Sequence, residues 1–538
     1  MKIQWKYSII LMGLLINQIL SESSNMTVFT HATIYGHPTA DAILCEDGKI
    51  KEIGQAADYT GYPTVDLRGG TVYPGFIDAH MHLLGLGGSK EILDLVGTKS
   101  VETIMKMVES TTKTLPPGTW IQGRGWDQND WEVQEYPTKE MLDKVAPNHP
   151  VFLRRIDGHA AWTNSTALEL ASITKHSNNP EGGMILRHTD GSPSGILIDN
   201  ALDIVGEIVP KDSKETKTRQ ILRAVKYLNT LGITAIHDAG TEFETIQILK
   251  ELIQKESLPI RVYSMLEDKE KTLFVLLKDG PTKGDFLNIS AIKLYFDGAM
   301  GSRGAALLEP YSDDKENTGL LMEESDEIAA KVKSYNAAGF QVCIHAIGDR
   351  ANRLALDIFE KVGNPRMRNR IEHAQNIHPD DVPRFSELGV IPAMQPTHCT
   401  SDMYWITERI GEDRLNEAYP WKSLINAGSP VPGGSDAPIE IPNPLHGIYA
   451  AVTRQDTTGW PEDGWQSQEC VSLDEAINMY TEWAAFGAGQ EELQGRIEPG
   501  YYADFTVVSH PFEEANPKSI LDAEVLFTII NGKVVFKK

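Results

Sequence analysis

The sequence predicts an α/β protein on a (β/α)8, TIM-like barrel, with a small β-sandwich domain made from both chain ends and a large insertion after barrel strand one. Three observations predict it. Apolar strand-like runs alternate with helical stretches through the middle of the chain, the pattern of a parallel sheet with crossover helices. Both ends instead read as short strands joined by tight turns. Polar residues recur at the C-terminal ends of the middle runs, where a barrel of this kind carries its functional groups.

Lys2 and Lys6 precede an apolar stretch from Ser8 to Leu20, and Ser21, Ser23 and Ser24 follow. This is the layout of a secretory signal peptide over residues 1–22, and it is short for a membrane span. An uncleaved anchor is the alternative. Sequons at Asn25, Asn164 and Asn288 fit a secreted or lysosomal glycoprotein. The expected location is therefore the secretory pathway.

Next come Thr27–Thr30, a strand, and Ala42–Cys45 and Ile50–Ile53, a hairpin across Asp47-Gly48. At the other end, Ala503–Val508 and Val525–Ile530 read as strands, and Asn531-Gly532 turns the chain into Val534–Phe536. Residues 23–73 and 489–538 are expected to pair into one small β domain, leaving 74–488 to the barrel.

Within that middle the strand candidates are 76–82, 233–238, 260–266, 290–297, 341–347, 370–374, 390–395 and 431–436. Helices fall between them, such as Glu215–Leu231 stopped by Gly232 and Asp326–Ala338 stopped by Gly339. Ser472 and Glu475 form a capping box that opens a helix to about Phe486. The gap between the first two strands holds its own elements. It is read as an insertion over about 88–230, emerging from a loop at the catalytic face of the barrel.

The first strand runs through Gly75-Phe76-Ile77-Asp78-Ala79 into His80-Met81-His82. Residues i and i+2 of a strand share a face, so the two imidazoles point the same way. By itself such a pair is weak, since 15 His in 538 residues yield roughly 0.4 pairs by chance. Other strand ends add Lys293, His345, His373 and Asp436, the last among small residues where a ligand can come close. Four imidazoles and a carboxylate at one barrel mouth suit zinc or a similar divalent ion. Cys45, Cys343, Cys399 and Cys470 are too scattered for a thiolate site or a disulfide framework.

As a set these residues resemble the amidohydrolase superfamily, and within it the YtcJ-like branch (amidohydrolase family 3), which includes N-substituted formamide deformylases. The stretches that carry the resemblance are Gly75–His82, Lys293–Arg303, Ile344–Ala351, Ile371–Gln375 and Gly434–Pro438. Gly125-Trp126-Asp127 and Asp157–Ser165 of the insertion fit the same branch. The resemblance implies one or two divalent ions, Zn2+ by preference. His80, His82 and Asp436 would hold one, His345 and His373 the other, and Lys293, carboxylated on its amine, would bridge them. It further implies that a metal-activated hydroxide attacks the carbonyl, with Asp436 moving the proton to the leaving nitrogen.

Asp157, His159 and Trp162 in the insertion, and Ser302 and Arg303 after the fourth strand, are candidates to face the substrate. Arg303 could pair with a substrate carboxylate or close a loop through a structural ion pair. His237 matches no ligand position and reads as a supporting residue. The expected activity is hydrolysis of a C–N bond of amide or formamide type. Cyclic amides, esters or deamination are alternatives on the same site, as is a non-catalytic metal-binding barrel. The expected partner is a small-molecule substrate. A net charge of −25 argues against nucleic acid or an anionic membrane. Subunit number is not set by the sequence, and a homodimer is compatible with it.

Overall fold

The structure, a computed structural model, describes residues 26–538 apart from 157, 159, 181–182 and 269–272. The chain folds as two compact units. One takes the chain up to Leu83 and resumes at Val225–Lys538; the other is Leu84–Ala224. Residues 1–22, and with them the signal segment, lie outside the described residues.

The first unit is organised around a seven-stranded parallel sheet. Its strands are β1 (Phe76–Met81), β2 (Ile233–Thr241), β3 (Arg261–Glu267), β4 (Leu287–Tyr295), β5 (Gln341–Ala346), β6 (Arg370–His373) and β7 (Ile391–Ala393). Their spatial order is their sequence order. Nearly every residue of these strands is buried, which explains why they read as continuous apolar runs rather than alternating ones.

An eighth strand at 431–436 is not formed. The segment instead bonds to both edges of the sheet and nearly closes it into a barrel. Met394 N donates to Pro432 O and Gly434 N to Met394 O, both at 3.0 Å, while Ala79 N donates to Gly433 O at 3.0 Å and Asp436 N to His80 O at 2.7 Å. Two features keep it from being a regular strand. Pro432 has no N–H to donate, and Asp436 sits at φ 56°, outside extended backbone.

The helix opened by Ser472 carries the expected capping box but ends at Met479, and a second helix spans Glu482–Gly487. The break has a use. It frees the Met479 and Tyr480 carbonyls to accept from Gly433 N and Ile77 N at 2.8 Å each, so the helix end anchors two barrel segments.

The chain ends do meet in one sheet: Thr33–Ile34 and Thr71–Pro74 from one end pair with Phe505–Val508, Val525–Ile530 and Lys533–Lys537 from the other. A four-stranded sheet with Met26–Thr30 and Ala42–Glu46 completes this region, and Phe29, Ile43, Val72, Phe505 and Phe527 share one core. Both hairpin turns take the positive φ that Asp-Gly and Asn-Gly favour, with Asp47 at 50° and Asn531 at 54°. Arg261 at the foot of β3 clamps Asp504 through two hydrogen bonds of 2.5 and 3.0 Å, both side chains buried.

The Leu84–Ala224 unit has its own six-stranded sheet and a core with Trp126, Trp131 and Trp162 at its centre. Asn164 is fully buried here and every polar atom of its side chain is used. Its Oδ1 accepts from Val151 N and Ala167 N, capping the helix Ser165–Leu170, and its Nδ2 donates to Ala146 O and His149 O. Asn288 on β4 is also buried. Neither can present its amide to a glycan in the folded protein, which removes two of the three sequons behind the glycoprotein expectation. Asn164→Ala deletes a helix cap and strands buried donors, so it should cost about 2–3 kcal/mol, read as a lowered Tm and urea midpoint.

Candidate metal centre

The centre is assembled from the C-terminal ends of the barrel strands. On β1, Asp78 and His80 share one face, and His82 follows directly after the strand's last residue. Asp78 accepts from Ser435 N at 3.0 Å and Ser435 Oγ at 2.5 Å, tying the 432–437 segment to β1. Gly434 is required at this crossing: a Cβ there would lie 2.6 Å from His80 N. The result brings Asp436 Oδ1 to 3.1 Å from His82 Nε2 and 3.6 Å from His80 Nε2.

Each strand-one imidazole is oriented through its other nitrogen. His82 Nδ1 meets Ala239 O at 2.7 Å, and His80 Nδ1 meets Glu372 on β6. Glu372 is in turn gripped by the Arg370 guanidinium at 2.7 and 3.0 Å, which also donates to Ala79 O at 2.8 Å and contacts His237 Nδ1 at 2.9 Å. This row of four side chains is completely buried. Burial raises the Glu372 carboxyl, but Arg370 and His80 outweigh it and hold it well below the usual carboxylate range.

Opposite lie His345 and His373, with ring centroids 4.5 Å apart; the His373 ring is 4.8 Å from that of His80. Gln395 Oε1 takes His373 Nδ1 at 2.8 Å, and His345 Nε2 stands 3.6 Å from Asp297 Oδ1. Asp297 braces the loop after β5, accepting from Ile347 N, Gly348 N and Ala306 N at 2.8–2.9 Å. Lys293 is buried, with Nζ 3.4 Å from His80 Nε2. Two of these side chains sit on strained backbone, His373 at φ 71° and Asp436 at φ 56°.

Burial also sets the electrostatics. It pushes the His80 imidazole down to about 4 and that of His345 to about 3, and lowers His373 and His237 well below the ordinary value. Lys293 is likewise lowered by burial, against the pull of Glu372 and Asp436. Asp436 goes the other way. Burial raises it, but the hydrogen bond from His82 and the surrounding imidazoles win, and it stays well below the usual carboxylate range. His82 is the exception: burial lowers it, but the hydrogen bond and charge of Asp436 outweigh that and raise it. At His80, His345 and His373 burial favours the neutral imidazole that binding a divalent cation requires.

The residues fit such a cation. His80, His82 and Asp436 bring ligand atoms within 4.8 Å of one another, and so do His373, His398 and Asp436. His345 Nε2 and His398 Nε2 are buried without a hydrogen-bond partner. An unsatisfied buried imidazole nitrogen is costly unless something else occupies its lone pair.

Of the residues singled out in the sequence, His80, His82, Lys293, His345, His373 and Asp436 converge here. Of the substrate candidates, Arg303, Ser302 and Trp162 are seen with other partners. Arg303 is engaged with Asp313 at 2.8 and 3.0 Å, so the loop-closing ion pair is the role observed. Ser302 is exposed and its Oγ donates to Ala299 O at 3.3 Å. Trp162 is buried in the core of the other unit, its Nε1 donating to Thr138 O at 3.0 Å. Asp157 and His159 lie outside the described residues. Sequence reasoning missed His398, whose signal was a histidine three residues beyond Gln395 at the end of a strand already placed. It also gave no role to Glu372, although that residue lies inside a stretch it quoted.

Residues 63–536 match the amidohydrolase family. The chain belongs to that family. The amidohydrolase is 33% identical over 510 residues to the Bacillus subtilis protein named as amidohydrolase YtcJ, covering 93% of this chain and 96% of that one. It is 26% identical to the N-substituted formamide deformylase of Arthrobacter pascens, covering 93% and 95%. These relatives place it in the YtcJ-like branch. Among solved structures, a metal-dependent hydrolase from Pyrococcus horikoshii superposes with a TM-score of 0.76 at 29% identity, over 90% of this chain and 98% of that one.

The comparisons overturn the secretory or lysosomal expectation and its anchored alternative. Among the relatives that align over nearly the whole chain, the Bacillus subtilis and Arthrobacter pascens proteins are bacterial enzymes of the YtcJ and formamide deformylase type, which speak against a secretory-pathway location. Among the described residues no helix is long and apolar enough to cross a membrane.

Two outcomes follow for the centre. Glu372→Gln should weaken divalent-ion binding about tenfold to a hundredfold, measured by competition with a chelator, because it loosens the grip on His80. In protein stripped of metal, the depressed histidines resist protons that the unfolded chain accepts below pH 6.5. Stability should therefore fall as pH drops from about 6.5 towards 4, by up to about 1.4 kcal/mol per pH unit for each such histidine. Urea unfolding at a series of pH values reads the slope, and His345→Asn should flatten it.

Proposed function

We propose that this amidohydrolase is a metal-dependent enzyme that cleaves a C–N bond of amide or formamide type in a small-molecule substrate. One observation carries the reading. Asp436 stands at the meeting point of two imidazole groups, at the end of a nearly closed barrel, with the His82 side chain beside it 35% exposed. That combination gives a place for cations, a proton acceptor, and access for water and substrate.

His80, His82 and Asp436 would hold one divalent ion, zinc by preference, and His345 and His373 a second. The ions would supply Lewis acidity and a water acidic enough to attack near neutral pH. Lys293, whose amine burial keeps more easily deprotonated, would add carbon dioxide with release of a proton, and the carbamate oxygens would bridge the two positions. The rest falls to the protein. Asp436 accepts the proton of the attacking water and delivers it to the departing nitrogen, which would otherwise leave as a poor anion. Glu372 keeps the His80 ring in one tautomer, and Gln395 does the same for His373. In this reading the seven strands and the 432–437 segment together serve as the (β/α)8 barrel, and residues 74–488 are its functional span.

The formamide deformylase relative motivates the substrate choice. A panel of N-substituted formamides, N-acyl amino acids, cyclic amides and simple esters, assayed with zinc-loaded enzyme, should show turnover of one C–N class. No hydrolysis of any amide, or turnover confined to esters, would sink the bond assignment. Asp436→Asn should lower kcat by about 10²–10⁴-fold, the range expected for losing a positioned proton acceptor, with the far-UV circular dichroism unchanged.

A further inference from the structure

His398 lies outside the ligand set drawn above, yet its surroundings are those of a ligand. It sits on the short helix Pro396–Asp402 that follows β7, with its side chain nearly buried. Its Nε2 has no hydrogen-bond partner and stands 3.8 Å from Asp436 Oδ2. The strand-one histidines approach the other oxygen, Oδ1. The two oxygens of one carboxylate thus face two different donor groups.

His373 belongs to the second group. Its ring is stacked 6.1 Å from that of His398, at 7° between planes, and its Nδ1 is taken by Gln395. The nitrogen left over is Nε2. Ligand atoms of His373, His398 and Asp436 all lie within 4.8 Å of one another. His345, although beside His373, is in neither donor group and points its Nε2 to Asp297.

We propose that His398, rather than His345, is the partner of His373 at the second ion position, together with Oδ2 of Asp436 and next to the position of His80, His82 and Oδ1. Two imidazoles and a carboxylate are a common three-ligand set for a catalytic zinc, which leaves a fourth place for water or substrate. A water could also satisfy the Nε2 lone pair, but it would not explain why three donors of metal-binding type surround one small space. His398 also rests on a helix held to the barrel by Asp402, which accepts from Gln375 Nε2 at 2.9 Å and Tyr419 Oη at 2.5 Å. The donor is therefore carried on a fixed support.

The inference rests on the metal-dependent reading, and its test separates the two. Full-length protein is stripped with a chelator, titrated with cobalt(II), and followed by equilibrium dialysis and by the visible d–d bands. His398→Ala and His398→Asn should weaken one cobalt position by at least about tenfold and alter its bands, while His80→Ala weakens the other. Circular dichroism and urea midpoints check that both His398 variants fold. Cobalt binding by the wild type that both folded His398 variants reproduce in affinity and spectrum would overturn the inference alone. A wild type that binds no cobalt would overturn both.

Discussion

Everything at the mouth of the barrel depends on where one carboxylate is held. Asp436 lies at the end of a segment that has too few ladder hydrogen bonds to be a strand, and its own backbone is at φ 56°. Such a conformation persists only when its surroundings over-determine it. Here they do. Asp78 fixes Ser435 through backbone and side chain, Gly434 lets the chain pass against His80, and Asp436 N donates to His80 O. The same contacts that nearly close the sheet therefore place the carboxylate between the imidazoles, so barrel closure and site geometry are one constraint.

Much of this was legible in the sequence because the barrel strands are buried on both faces. A run such as Ala291–Leu294 is apolar except where a side chain must serve the site, so Lys293 stands out against it. The two-residue spacing of His80 and His82 has a single structural meaning in a strand. What escaped reading has an equally physical cause. His398 is presented by a helix that begins one residue after Gln395, and nothing in the periodicity of Pro396–Asp402 says which way its side chains point. The irregular eighth segment could not be told from a strand, because Gly433 and Gly434 fit either and the positive φ of Asp436 is imposed by tertiary contacts. Trp162 and Asn164 stand in a stretch that resembles the family, but burial turns one into core and the other into a helix cap.

The buried row His237–Arg370–Glu372–His80 poses the sharper energetic question. Removing a guanidinium and a carboxylate from water costs several kcal/mol per ion, and their attraction often does no better than repay it. A pair of apolar residues of the same volume would serve the core as well or better. The row makes sense if its product is the orientation of His80. A carboxylate on Nδ1 leaves Nε2 as the lone-pair nitrogen and stiffens the ring, and Arg370 stops Glu372 from swinging or taking up the proton itself. Arg370 also bonds Ala79 O, one residue before His80, so it positions the backbone and the ring together. The depressed imidazoles around it follow from the same burial. Buried imidazoles that resist protons keep their lone pairs for a metal cation, whose ligand bonds would return the desolvation cost that a lone charge could not.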